Sequence, residues 1–129
     1  MKKGVLFFWG IIIALIVVGI GASLLASSRP NPLDSFAKCL KEHGAIMYGA
    51  FWCPHCQRTN AMFGIAAHYL PYVECSTPDG QGQTQICKDK KIQSYPTWVF
   101  ANSTTTLNGE HTLTELAQAS KCPLPAGVQ

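Results

Sequence analysis

Charge is scarce in this sequence: 13% of its 129 residues are Asp, Glu, Lys or Arg, and none of them falls between Gly4 and Ser28. At 1.5 Å per residue, an apolar run of about 22 residues spans roughly 33 Å, enough to cross a bilayer. A core helix hydrophobic on every side needs more protein around it than so small a chain supplies. Lys2 and Lys3 precede the run and only Arg29 follows it closely. The positive-inside bias then puts the N-terminus in the cytoplasm and the rest outside, in the periplasm or extracellular space. Trp9 fits an interfacial anchor. A cleaved signal peptide is the alternative, with Ala26–Ser28 as a cleavage site, although signal h-regions run about 7–15 residues. No cysteine lies near the end of the run, which excludes a lipoprotein anchor.

A basic stripe is also missing. Lys2, Lys3 and Arg29 account for three of the ten Lys/Arg, leaving seven against all seven Asp/Glu from Leu33 onward. The folded part is therefore near neutral and has no footprint for nucleic acid. Internal repeats and low-complexity tracts are absent. The expected organisation is an anchor over 1–28, a Pro-containing linker over 29–32, one domain over 33–123 and a short tail over 124–129. A domain of that size holds one modest core, and covalent staples would help it.

What the sequence does have is six cysteines and clear punctuation. Asp34 reads as the N-cap of a helix carrying Phe36, Cys39 and Leu40, which Gly44 stops. Residues 45–51 form a short apolar strand. Pro54 suits the first turn of a helix, expected to continue to about Tyr69 with Met62, Phe63, Ala66 and Leu70 inward, before Pro71. A strand over 72–75, a loop over 76–82 and a short helix with Ile86 and Cys87 follow. Two strands come next, over 97–101 and within 104–111, the second with an Asn108-Gly109 turn. Thr112 to Glu115 is a capping box, and Leu113, Leu116 and Ala117 face inward on the last helix.

Within this alternation, Cys53-Pro54-His55-Cys56 directly follows a strand and opens a helix. That context gives a C-x-x-C a redox reading. Its rivals are weaker. A staple across so short a loop removes little chain entropy. Zinc wants a second close ligand pair, which Cys75 and Cys87 do not make. Haem attachment needs a histidine where Gln57 stands. His43, His68 and His111 read as surface residues, and Trp52 and Trp98 as packing residues, with Trp52 also placed to shield a disulfide. Asn102-Ser103-Thr104 is a lone glycosylation sequon. Pro96 opens a strand where proline cannot donate to the ladder, and a cis Tyr95–Pro96 bond would accommodate it.

Trp52-Cys53-Pro54-His55-Cys56 resembles the active site of the thioredoxin superfamily, with the Pro-His dipeptide of its oxidising, DsbA-like members. The stretch from Phe36 to Cys122, with all six cysteines, is similar to the thioredoxin-like domain fused to bacterial homologues of vitamin K epoxide reductase. The resemblance implies an α/β, thioredoxin-like fold: a central four-stranded mixed sheet flanked by helices, here behind an N-terminal transmembrane helix. It also implies a thiol-disulfide oxidoreductase in which Cys53 is attacked and Cys56, more buried, resolves. Pro54 and His55 would tune the pair, and Tyr95 and Pro96 would meet the substrate. No metal or cofactor is expected in the chain. Quinone chemistry would belong to a separate partner, a membrane oxidase of the vitamin K epoxide reductase or DsbB-like type, and the clients would be cysteine-containing secreted proteins. Thioredoxin carries a buried acid six residues before its first cysteine, where this chain has Met47, which weakens a reductase reading. A tethered reductase or isomerase, as in cytochrome c maturation, and a stapled binding module without turnover are the alternatives.

A free thiol has a pKa of about 8.5, and a helix N-terminus with a nearby cation favours the thiolate. Stabilising the reduced pair makes its disulfide a stronger oxidant. With Cys53 and Cys56 paired, three connectivities remain for the other four. Cys75 ends a strand and Cys87 lies on the next helix, while Cys39 and Cys122 flank the domain. The expected structural disulfides are Cys75–Cys87 and Cys39–Cys122.

Overall fold

The computed structural model describes residues 2–27, 31–101 and 103–128. Asn102 of the sequon, Ser28 and the linker residues Arg29 and Pro30 fall outside them, as do the side chains of Lys2, Lys3, Ala26 and Ser27. The chain divides into two units, Met1–Pro30 and Asn31–Gln129.

The first unit is one helix, α1 (Lys2–Ser27). Its stretch Gly4–Leu25, 22 residues with mean hydropathy 2.8, is long and apolar enough to cross a membrane.

The second unit contains α2 (Asp34–Glu42), β1 (Ala45–Gly49), α3 (Pro54–Phe63), a 3-10 helix (Gly64–Tyr69) and β2 (Tyr72–Glu74). After these come α4 (Gln85–Asp89), β3 (Thr97–Phe100), β4 (Thr106–Asn108) and α5 (Leu113–Ser120). The sheet order is β2-β1-β3-β4, with β1 and β2 parallel and the other pairs antiparallel. This is a thioredoxin fold with a four-stranded mixed sheet and flanking helices. The parallel pair requires a crossover, which α3 and the 3-10 helix supply.

β1 lies between two neighbours and is buried along nearly its whole length, as an apolar run without polar alternation demands. On one face of the sheet, Phe36 stacks on Phe63 with ring centroids 5.9 Å apart, and Met47, Trp98 and Leu116 fill the space beside them. A smaller cluster, Tyr48, Cys75, Cys87 and Ile92, forms separately. Met47, where thioredoxin has an acid, is fully buried in the larger core.

Gly44 ends α2 at φ +69°, and a Cβ there would sit 2.5 Å from that of Ala101. Only glycine meets both demands cheaply. The capping box forms: Thr112 Oγ1 accepts from Glu115 N–H, and the Glu115 carboxylate accepts from Thr112 N–H.

Three local expectations need correction. Asp34 is the first residue of α2, not its cap. Leu33 occupies the cap position, its N–H donates to Asn31 Oδ1 at 2.9 Å, and the Asp34 carboxylate accepts from Asn31 N–H instead. α3 does not reach Tyr69: Gly64 adopts φ +56°, which no α-helical residue has, and the chain tightens into the 3-10 helix. Met62 consequently faces out, 38% exposed, while Phe63, Ala66 and Leu70 are buried as the spacing requires. His43 and His68 lie at the surface, but His111 is half-buried beside Glu115.

Cys39 is bonded to Cys122, tying α2 to the segment after α5, and Cys75 is bonded to Cys87, tying the end of β2 to α4.

Candidate active site

The site begins where β1 runs out. Gly49 and Ala50 lead to the exposed side chains of Phe51 and Trp52, and the chain then turns back, with Cys53 N–H donating to Ala50 O at 3.0 Å. Cys53 is the N-cap of α3, in extended backbone, and Pro54 takes the first helical position, where a missing N–H costs nothing. Cys56 lies one turn in. Both cysteines are free thiols, and both are buried: Cys53 is 4% exposed and Cys56 2%. Burial therefore does not separate their roles. Position at the helix end does.

Opposite this end stands the Tyr95–Pro96 peptide, which is cis. The Cys53 thiol points its proton at the Tyr95 carbonyl, 3.6 Å away. Trp52 closes one side, with its ring edge-on to Tyr95 at 6.1 Å and its indole N–H donating to Ser76 Oγ at 2.8 Å. Gln83 Nε2 donates to the Tyr95 hydroxyl and to Ile92 O, both at 2.8 Å. The loop between β2 and α4, closed at its base by Cys75–Cys87, thus supports both aromatic walls.

The thioredoxin family model matches residues 32–121 of this chain. The chain belongs to the thioredoxin family. Thiol-disulfide oxidoreductase LTO1 of Arabidopsis thaliana is 46% identical over 98 residues, which cover 72% of this chain and 25% of that protein. Protein disulfide-isomerase A5 of Bos taurus is 28% identical over 74 residues, 52% of this chain and 14% of the bovine protein. The chain thus spans a quarter or less of the length of these relatives.

In this thioredoxin-family site the surroundings of the second cysteine favour its neutral thiol. Burial pushes the Cys56 thiol up to about 12, with the neighbouring Cys53 and the Glu74 carboxylate adding to the rise and a hydrogen bond with the Ala50 backbone opposing it. At neutral pH Cys56 stays protonated in the dithiol form. Its surroundings are tight: a Cβ on Gly49 would come within 2.9 Å of Cys56 Sγ and 2.8 Å of the Tyr72 ring. The Tyr72 hydroxyl donates to Glu74 Oε2 at 2.7 Å, and burial holds that phenol well above its ordinary range.

His55 is exposed at the front of the site. Its Nδ1 lies 2.5 Å from Glu110 Oε1 and 2.7 Å from Arg58 Nη2. A carboxylate can only accept, so the first contact requires the proton on Nδ1. The guanidinium then lies beside the ring without bonding to it, and binds Glu110 through Nε at 2.6 Å and also through Nη2.

Sequence reasoning missed Arg58, Glu110, Tyr72, Glu74, Ser76 and Gln83. Arg58 was within reach, since it lies three residues after His55 on one helix face. Glu110 and Gln83 had no local signal. Cys39, His43 and Cys122 also converge, with ligand atoms within 4.8 Å of one another. Two of those atoms are the sulfurs of a closed disulfide, which offers no thiolate to a metal.

Proposed function

We propose that this chain is a membrane-anchored thiol-disulfide oxidoreductase, N-terminus in the cytoplasm and domain outside, that passes disulfides to secreted proteins. The observation that carries this reading is the pair Cys53/Cys56 at the N-terminus of α3, with the Cys53 sulfur against the Tyr95 carbonyl. The printed names of both relatives support thiol–disulfide exchange as the chemistry. The 22-residue apolar stretch of α1 supports the anchor.

In the proposed cycle, a client thiolate attacks Cys53 Sγ of the Cys53–Cys56 disulfide. The S–S bond breaks, Cys56 leaves as a thiolate and takes up a proton, and a mixed disulfide joins client and Cys53. A second client thiolate attacks its own sulfur in that bond and releases Cys53. Two electrons have moved from client to pair, and the client holds a new disulfide. The Tyr95 backbone would align the client segment beside Pro96. The raised thiol of Cys56 favours its protonation after the first step. The pair itself is the redox group, so the chain needs no cofactor. A separate membrane oxidase, of the vitamin K epoxide reductase or DsbB-like type, would take the electrons onward to quinone.

Full-length oxidised protein in detergent, mixed with a reduced, unfolded secreted protein, should deliver one disulfide per chain. Cys53→Ser should deliver none. Poor oxidation together with fast reduction of insulin-type disulfides by the dithiol form would favour the tethered reductase instead.

A further inference from the structure

The cluster around Glu110 joins two parts of the chain that share no element. His55 and Arg58 lie on the first turns of α3, and Glu110 lies in the loop between β4 and α5. One carboxylate oxygen, Oε1, takes hydrogen bonds from His55 Nδ1 at 2.5 Å and from Arg58 Nε at 2.6 Å, and Arg58 Nη2 also reaches it. We propose that Glu110 is a positioning residue that makes the Cys53–Cys56 pair less oxidising, by holding His55 and Arg58 to itself and away from the Cys53 sulfur. This inference rests on the redox reading of the pair.

The electrostatics follow from the reaction. When the disulfide is reduced by two glutathione thiols, glutathione disulfide leaves and the pair becomes a dithiol able to carry negative charge on Cys53. Cations free to approach that sulfur favour the reduced form. Arg58 is close enough for the charge of Cys53 to help hold its guanidinium protonated, after the larger effect of Glu110. Glu110 in turn is held below the usual carboxylate range, first by Arg58 and then by His55. The carboxylate thus engages both the imidazole and the guanidinium of the first turns. All three side chains are over a third exposed, so the effect is modest and screened by salt.

A purely mechanical clasp between loop and helix would change melting temperature and leave the potential alone. The test is the glutathione equilibrium of the full-length protein in detergent, read by mass after acid quenching. Glu110→Gln should raise the reduced-to-oxidised ratio about fivefold, equivalent to a potential about 20 mV less negative. The shift should vanish in 1 M salt, where the Debye length is about 3 Å. It should also vanish when Glu110→Gln is introduced into His55→Ala/Arg58→Gln. A wild-type pair that titrates while Glu110→Gln leaves its ratio unchanged would overturn the proposal. So would a shift that persists in the double variant, because Glu110 would then act directly on the sulfur. A wild-type pair that does not titrate would instead sink the redox reading, and this inference with it.

Discussion

Cys56→Ala should turn a protein that releases its clients into one that keeps them. Without the second sulfur, Cys53 retains its place at the end of α3 beside the Tyr95 carbonyl. Its thiolate can still attack a disulfide in a client or in the proposed oxidase, forming a mixed disulfide and releasing one thiolate of that bond, but the second sulfur within the chain that would attack Cys53 and displace the partner is gone. Covalent complexes should accumulate, and multiple-turnover exchange should fall to the uncatalysed background. On non-reducing gels the complexes should include secreted proteins and one integral membrane protein, the proposed oxidase. Cys53→Ser should form none. The asymmetry is the informative part: fractional exposures of 4% and 2% do not distinguish the two cysteines, whereas the position of Cys53 at the helix end does. Equal trapping by the two variants would mean that either sulfur can be attacked, and the assignment of roles would fail.

Removing the long staple should have the largest effect on stability. Cys39 and Cys122 are separated by 83 positions. In the chain-entropy account, closing a loop of that length stabilises the fold by about 4.5 kcal/mol. For a domain of this size that corresponds to a drop of roughly 18–36 °C in melting temperature. Cys39→Ala/Cys122→Ala should show it in thermal unfolding of the full-length protein, with the Cys53–Cys56 pair still titratable below the transition. Cys75–Cys87 spans only 12 positions and should contribute less, about 3 kcal/mol. Its loss should be felt in exchange activity as well, because that bond closes the loop whose Ser76 and Gln83 hold Trp52 and Tyr95. A loss below about 1 kcal/mol for the long staple would show that the core around Phe36, Phe63 and Trp98 suffices alone.

The parts of the fold that were legible are those written in local chemistry. Pro54 after a strand marks the start of α3, Thr112 and Glu115 mark α5, and the apolar run over 45–51 marks β1, which stops at Gly49. Gly64 shows the limit of this reasoning. Its neighbours keep an inward spacing through Leu70, so a single helix satisfies the pattern, yet the glycine takes φ +56° and the backbone changes type. Asp34 shows another: Asx chemistry at the start of α2 is real, but Asn31 shares it, and the cap moves one residue back. At the site, the C-x-x-C and the proline 40 residues on could be read because each carries a backbone consequence. Glu110, 52 positions from Arg58, carries none. Its role arises only when the turn after β4 is folded against α3, which no periodicity encodes. The same holds for Glu74 and Tyr72, which approach Cys56 because β2 pairs in parallel with β1 and Gly49 leaves room.

The most direct measurement is a redox titration of the full-length protein in detergent against glutathione buffers, with alkylated cysteines mapped by mass at each step. Cys53 and Cys56 should open together, as a two-electron couple, at a potential well above thioredoxin's roughly −270 mV and towards −180 to −120 mV. Cys75–Cys87 and Cys39–Cys122 should remain closed throughout. A midpoint near thioredoxin's would contradict the proposed direction of electron flow. Labels appearing on Cys75 or Cys87 before Cys53 would contradict the assignment of the redox pair itself.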